Sequence, residues 1–107
     1  MNAILPLAYG YLRDDLLHEI EPATGEELLM DRARQLGYEI ASVFHEPPLG
    51  SETIPQTFMD LVWECCRTEA RAVITPSGHM SGMKISRMCL TAILTKRADT
   101  RVHEVEL

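Results

Sequence analysis

The sequence lacks any apolar run of the roughly 18–20 residues needed to cross a bilayer as a helix. Its opening, Met1-Asn2-Ala3-Ile4-Leu5-Pro6, has no basic segment and only a short apolar stretch, so it does not read as a secretory leader. Both absences point to a cytoplasmic protein with no membrane partner. The three cysteines, Cys65, Cys66 and Cys89, contain no CxxC pair and no zinc-type spacing. An odd number of cysteines without a leader implies reduced thiols rather than a disulfide framework. Neither a metal site nor a cofactor is expected. Positive charge is also in deficit: 10 basic against 16 acidic side chains, a net charge of -6. DNA binders draw much of their affinity from neutralised phosphates. The basic residues here are spread along the chain, so tight DNA binding by this chain alone is not expected.

What is present fits one modest core. With 107 residues and 46% hydrophobic content, the chain reads as a single domain spanning residues 1–107. Leu7-Ala8-Tyr9-Gly10-Tyr11-Leu12 is an apolar and aromatic run that predicts a buried strand, closed by Arg13-Asp14-Asp15. After a loop with Pro22, Thr24-Gly25-Glu26-Glu27 has the form of a capping box. Leu29, Ala33 and Leu36 then share a helical face, and Gly37 stands where a helix ends. Tyr38 to Phe44 predicts a second strand, and the proline-bearing segment from His45 to Pro55 a loop.

Phe58, Leu61, Val62 and Cys65 predict a helix from about Gln56 to Arg67. Ala70 to Thr75 predicts a third strand and Pro76 to Gly82 a glycine-bearing loop. Ile85, Met88, Cys89, Ala92 and Ile93 suggest the inner face of a third helix, with Lys96 and Arg97 in its last turn. Thr100 to Leu107 is a more polar final strand, expected at a sheet edge. Alternating strands and helices imply an α/β fold: a small, doubly wound, mostly parallel four-stranded sheet with about three helices. Such sheets bind ligands at the carboxyl ends of their strands. Those ends carry Arg13-Asp14-Asp15, His45-Glu46 and the Pro76 to Gly82 loop.

On these residues the chain resembles the catalytic domain of serine recombinases, the resolvases and invertases. Tyr9-Gly10-Tyr11-Leu12-Arg13 resembles the family's first-strand motif, in which an arginine precedes the nucleophilic serine. Gln35-Leu36-Gly37-Tyr38, Val43-Phe44-His45-Glu46 with Gly50-Ser51, Phe58 to Val62, and Ala72 to Pro76 resemble later segments in the same order. The resemblance runs from about Leu7 to Val105. It implies a resolvase-like fold, and its departures imply that the recombinase reaction is lost. Where the family has its serine, two residues after Arg13, this chain has Asp15, and a carboxylate there repels phosphate. An arginine expected before the second helix falls at about Pro55. The family's L-D-R-L-x-R motif aligns with Ser77-Gly78-His79-Met80-Ser81-Gly82, so Arg13 alone of the arginine cluster remains. The family's long dimerising helix and DNA-binding segment do not follow Leu107, which suggests a truncated or divergent relative.

The vestigial-site candidates are therefore Arg13, Asp15, Glu46, Ser77, His79 and Ser81. Arg13 reads either as an anion ligand or as the ion-pair partner of a nearby carboxylate. His79 could pair with Ser77 or Ser81 as a base and nucleophile, or the serines could cap a helix. Cys66 is a candidate reactive thiol. Trp63, Met83 and Met88 are interface candidates; Met80 and Met59 read as core or as an adaptable surface. The leading expectation is an inactive recombinase-like domain that acts as a protein-interaction or regulatory module and self-associates as a homodimer. A small enzyme or ligand-binding protein using Arg13, Asp15, Glu46 and His79 is the alternative. A weaker one is accessory DNA binding through Lys84, Arg87, Lys96 and Arg97.

Overall fold

In the computed structural model, which describes residues 4–50 and 53–107, the strands and helices alternate along the chain. Ser51, half of the Gly50-Ser51 match, and the opening Met1-Asn2-Ala3 lie outside the described residues. The elements are β1 (Leu7–Arg13), α1 (Pro22–Gln35), β2 (Glu39–Glu46), α2 (Gln56–Thr68), β3 (Ala72–Pro76), α3 (Arg87–Ala98) and β4 (Arg101–Val105). All neighbouring strands pair in parallel, in the order β2-β1-β3-β4. The expected fold class and the edge position of the last strand therefore hold.

The period-two alternation of β1 divides the core into two layers. Tyr9 and Tyr11 face α2 and α3, where they pack with Val73, Phe58, Leu61, Cys65, Leu90 and Leu94. Ala8 and Leu12 face α1, where they pack with Ile74, Leu29 and Ala33. Each helix face is thus buried against one side of the sheet, as a doubly wound fold requires. Gly10 sits on the α1 side at a point of close approach: a Cβ there would lie 2.9 Å from both Leu29 Cδ2 and Val43 Cγ2.

Several boundaries differ from the sequence expectation for identifiable reasons. α1 begins at Pro22, not at the Thr24 capping box, because proline's fixed φ suits the first helical position. Thr24 lies inside the first turn rather than at the cap. β2 continues to Glu46 rather than ending at Phe44, because β1 pairs with it as far as Arg13–Glu46. The predicted inner face of α3 is out of phase. Ser86 caps that helix by accepting from the Cys89 N–H at 3.2 Å, which leaves Ile85 outside it. Leu90 and Leu94, spaced i,i+4, are the buried pair, while Met88 and Cys89 are exposed. Neither Ser77 nor Ser81 is that cap. At the end of α1 the expectation holds: Gly37 adopts φ 91°, and Tyr38 and Gly37 N–H groups donate to the Ala33 and Arg34 carbonyls in a Schellman motif.

The close packing at Gly10 gives a stability test. Gly10→Ala must displace two branched side chains in a filled layer, and we expect a loss of about 1–3 kcal/mol by urea unfolding. An unchanged midpoint would show that α1 does not pack as tightly as described.

Candidate functional site

The parallel sheet brings the carboxyl ends of β1, β2 and β3 to one side, and most of the vestigial candidates gather there. Arg13 is the last residue of β1 and is buried. Its guanidinium Nη1 donates to the Ser81 carbonyl at 2.8 Å, and Nη2 lies 3.5 Å from the Asp15 carboxylate. Its Nε is buried without a partner among the described residues. The Arg13 backbone N–H donates to Nδ1 of His79 at 3.0 Å. An N–H donor at Nδ1 leaves that nitrogen unprotonated and places the imidazole hydrogen on Nε2. Burial, and then the Arg13 charge, hold the His79 pKa below its ordinary value, so the ring is neutral.

The loop that carries His79 folds back on itself. His79 N–H donates to the Pro76 carbonyl and Ser81 N–H to the Gly78 carbonyl, and Gly78 supplies the positive φ of 87° that this reversal needs. Met80 is fully buried and anchors the loop in the α2–α3 layer of the core. No hydrogen bond joins His79 to the hydroxyl of Ser77 or Ser81 among the described residues. The ring nitrogen that a serine would use is taken by the backbone of β1. Ser77 and His79 border a shallow concavity of about 230 Å³, walled by Leu16, Leu17 and Val105.

Glu46 serves a different purpose from its neighbours. Its side chain is almost completely buried. It accepts from the Tyr11 hydroxyl at 2.7 Å and from the Thr57 and Phe58 N–H groups at 3.0 and 3.1 Å. Thr57 and Phe58 are the second and third residues of α2, whose own N-cap, Pro55, offers no side-chain cap. A carboxylate from β2 thus satisfies the orphan donors of α2 and sits at the positive end of its dipole. Burial, with the Glu46 hydrogen bond second, pushes the Tyr11 pKa far upward. Arg13, Asp15, His79 and Ser81 therefore come together, whereas Glu46 belongs to a helix cap and the Ser77 side chain makes no hydrogen bond to the cluster among the described residues.

One constellation escaped the sequence reading. His45, partly buried on β2 beside α1, bridges two carboxylates: Nδ1 lies 2.7 Å from Asp14 and Nε2 2.7 Å from Glu26. Burial works to lower its pKa, but the hydrogen bonds and charges of Asp14 and Glu26 outweigh it and the net shift is upward. The three residues come from three segments, so no local spacing could announce them. Among the cysteines, Cys65 is buried, and burial raises its thiol pKa to about 11. Cys66 is exposed, with its Sγ 3.5 Å from the Arg97 carbonyl. Among the described residues, no three His, Cys, Asp or Glu side chains are grouped to hold a metal, and no helix is long and apolar enough to cross a membrane.

The architecture is similar to a known structure: the C-terminal catalytic domain of ISC1926 TnpA, an IS607-like serine recombinase. The two superpose with a TM-score of 0.69 at 12% identity, covering 92% of this chain and 67% of that one. The fold is resolvase-like. No protein-family model matches the sequence, and no curated protein matches it. The likeness is one of fold, at low sequence identity.

Two measurements test this description. Glu46→Ala removes the cap of α2 and orphans the Tyr11 hydroxyl, and we expect about 3 kcal/mol of destabilisation by urea unfolding; a loss below about 1 kcal/mol would remove the cap from the description. For His45 the folded pKa is raised, so its contribution is complete below the unfolded value of about 6.5 and disappears as pH rises through the folded value. Wild-type stability should fall across that window and His45→Gln should flatten the fall. Equal slopes in the two proteins would contradict the bridge.

Proposed function

We propose that this domain does not cleave DNA and instead acts as an interaction module that self-associates through the outer face of α2 and α3. Two sets of observations support the reading. At the strand ends, the Arg13 guanidinium is committed to the Ser81 carbonyl and to Asp15, and a carboxylate beside it opposes the approach of a phosphate. His79 is neutral and bound to a backbone amide, which leaves it poorly placed as a general base for a serine. A small-molecule site built from Arg13, Asp15, Glu46 and His79 finds little support, since Glu46 is occupied by α2.

The second set, and the single observation that carries the interaction reading, is the exposure of Trp63 (76%) and Met88 (79%) on the two helices that cover one face of the sheet. Trp63 borders an apolar groove of about 260 Å³ with Met59, Val62, Cys66 and Ile93. A large aromatic beside an apolar groove is the usual anchor of a protein interface. Met83, by contrast, is partly buried against the core with its sulfur 3.8 Å from the Tyr11 hydroxyl, so it is withdrawn from the interface set.

Charge on α2 favours a second copy as the occupant. Asp60, Trp63, Glu64 and Arg67 line one surface. Asp60 lies about one turn before Trp63 and Arg67 about one turn after it. A two-fold axis near Trp63 that sets two α2 helices antiparallel would oppose Asp60 of each copy to Arg67 of the other, as an isologous contact requires.

Light scattering over a range of concentrations should give a dimer. Trp63→Ala should weaken it by about 30-fold, the effect of losing an interface anchor worth 2 kcal/mol. Asp60→Arg or Arg67→Asp alone should also shift it toward monomer, and the double exchange should restore it. A monomeric wild type, or a double variant no better than the singles, would refute self-pairing through α2.

A further inference from the structure

At the opposite end of the sheet, the amino ends of β3 and β4, the basic residues follow a pattern that the sequence does not display. Arg13, Arg32, Arg34, Arg67 and Arg87 each have a partner: a carboxylate or a backbone carbonyl. Lys84 is also engaged. Arg71, Lys96, Arg97 and Arg101 have no side-chain partner among the described residues, and all of them line two adjoining concavities of about 550 and 580 Å³. The concavities share Arg71 and Asp99 as lining residues. The dipole of α3 accounts for Lys96 and Arg97, which lie in its last turn. It does not account for Arg71 and Arg101, which precede β3 and open β4.

Those two arginines are held side by side. The Arg101 N–H donates to the Arg71 carbonyl at 3.1 Å, and both side chains border the same concavity. Two like charges gathered at one end of the sheet favour an anion between them. In a chain with net charge -6 carboxylates are plentiful, yet neither guanidinium is paired with one among the described residues. Glu69 and Asp99, the left-handed C-caps of α2 and α3, do line the first of these concavities, and Asp99 the second as well. As acceptors they suit hydroxyl hydrogens, and they prevent the basin from being uniformly positive.

We infer that this basin is a binding site for a phosphate group on a hydroxylated carrier, with Arg71 and Arg101 as its principal ligands and Lys96 and Arg97 beside them. Guanidinium forks match phosphate oxygens in two-point hydrogen bonds, and Glu69 and Asp99 accept from carrier hydroxyls. The phosphate source is either a free phosphorylated sugar or the backbone of a nucleic acid. The basin lies away from the Arg13 cluster and adjoins the groove beside Trp63, sharing Cys66 and Arg97 with it. It also redraws the basic set read from the sequence: Arg87 leaves it, being paired with Glu104, and Arg71 and Arg101 enter.

The test is a titration of the isotopically labelled full chain with ribose 5-phosphate and, separately, with a short single-stranded oligonucleotide. Amide shifts are expected at Arg71, Ala72, Thr100 and Arg101 with at least one probe. A response to the sugar phosphate alone assigns a small ligand; a tighter, salt-sensitive response to the oligonucleotide assigns a backbone. The double variant Arg71→Ala/Arg101→Ala should weaken binding by about 100-fold, roughly tenfold for each charge-assisted pair lost. Its thermal midpoint should match wild type, since both residues are exposed and neither side chain has a partner among the described residues. Arg34→Ala, at an exposed arginine already paired with Glu39, should bind as wild type does. Absence of shifts with both probes, or equal binding by the double variant and wild type, would overturn the assignment.

Discussion

The buried carboxylate of Glu46 is the contact on which the rest of this small fold depends. One side chain at the end of β2 holds the Tyr11 hydroxyl on β1 and the first turn of α2. A charge taken out of water is tolerated only where hydrogen bonds replace its hydration, and here three donors do so. In return, the helix that crosses from β2 to β3 starts at one place and angle. Phe58 then meets Tyr11 edge to face, with ring centroids 5.3 Å apart, and the α2–α3 layer closes over the sheet.

The neighbouring groups brace the same end of the sheet. Arg13 ties β1 to the loop after β3 through Ser81, and His79 ties that loop back to the Arg13 amide. Polar side chains at the carboxyl ends of parallel strands are where α/β proteins usually place chemistry. In this domain they are cross-braces between β1 and the Pro76–Gly82 loop. The surfaces left with unmet potential lie elsewhere: an apolar face on α2 and α3, and a basic basin at the amino ends of β3 and β4.

Much of the fold could be read from the chain because its strands are short apolar runs and its punctuation is strong. Tyr9 and Tyr11 alternate with Ala8 and Leu12, and Gly37 ends α1 as its conformation requires. Two failures have physical causes. Pro22 outcompetes the Thr24 box because a fixed φ needs no side-chain partner. α3 is apolar on more than one side, so periodicity selected Met88 and Cys89, whereas packing selected Leu90 and Leu94. The candidate cluster was half legible. The order of motifs gathered Arg13, Asp15 and His79, but whether a polar group serves catalysis or bracing depends on which atom meets which. The His45 bridge and the Arg71–Arg101 pair arise only when distant segments are brought together, and spacing along the chain carries no trace of either.

The most direct measurement of whether the strand-end cluster is brace or reaction centre is the side-chain ¹⁵N spectrum of His79 across pH. A brace gives an unprotonated, hydrogen-bonded Nδ1 and a protonated Nε2, with the ring neutral from alkaline pH to below the ordinary histidine value of about 6.5. Formation of the imidazolium near neutral pH, or a tautomer with the proton on Nδ1, would contradict the bracing role and restore His79 as a working base.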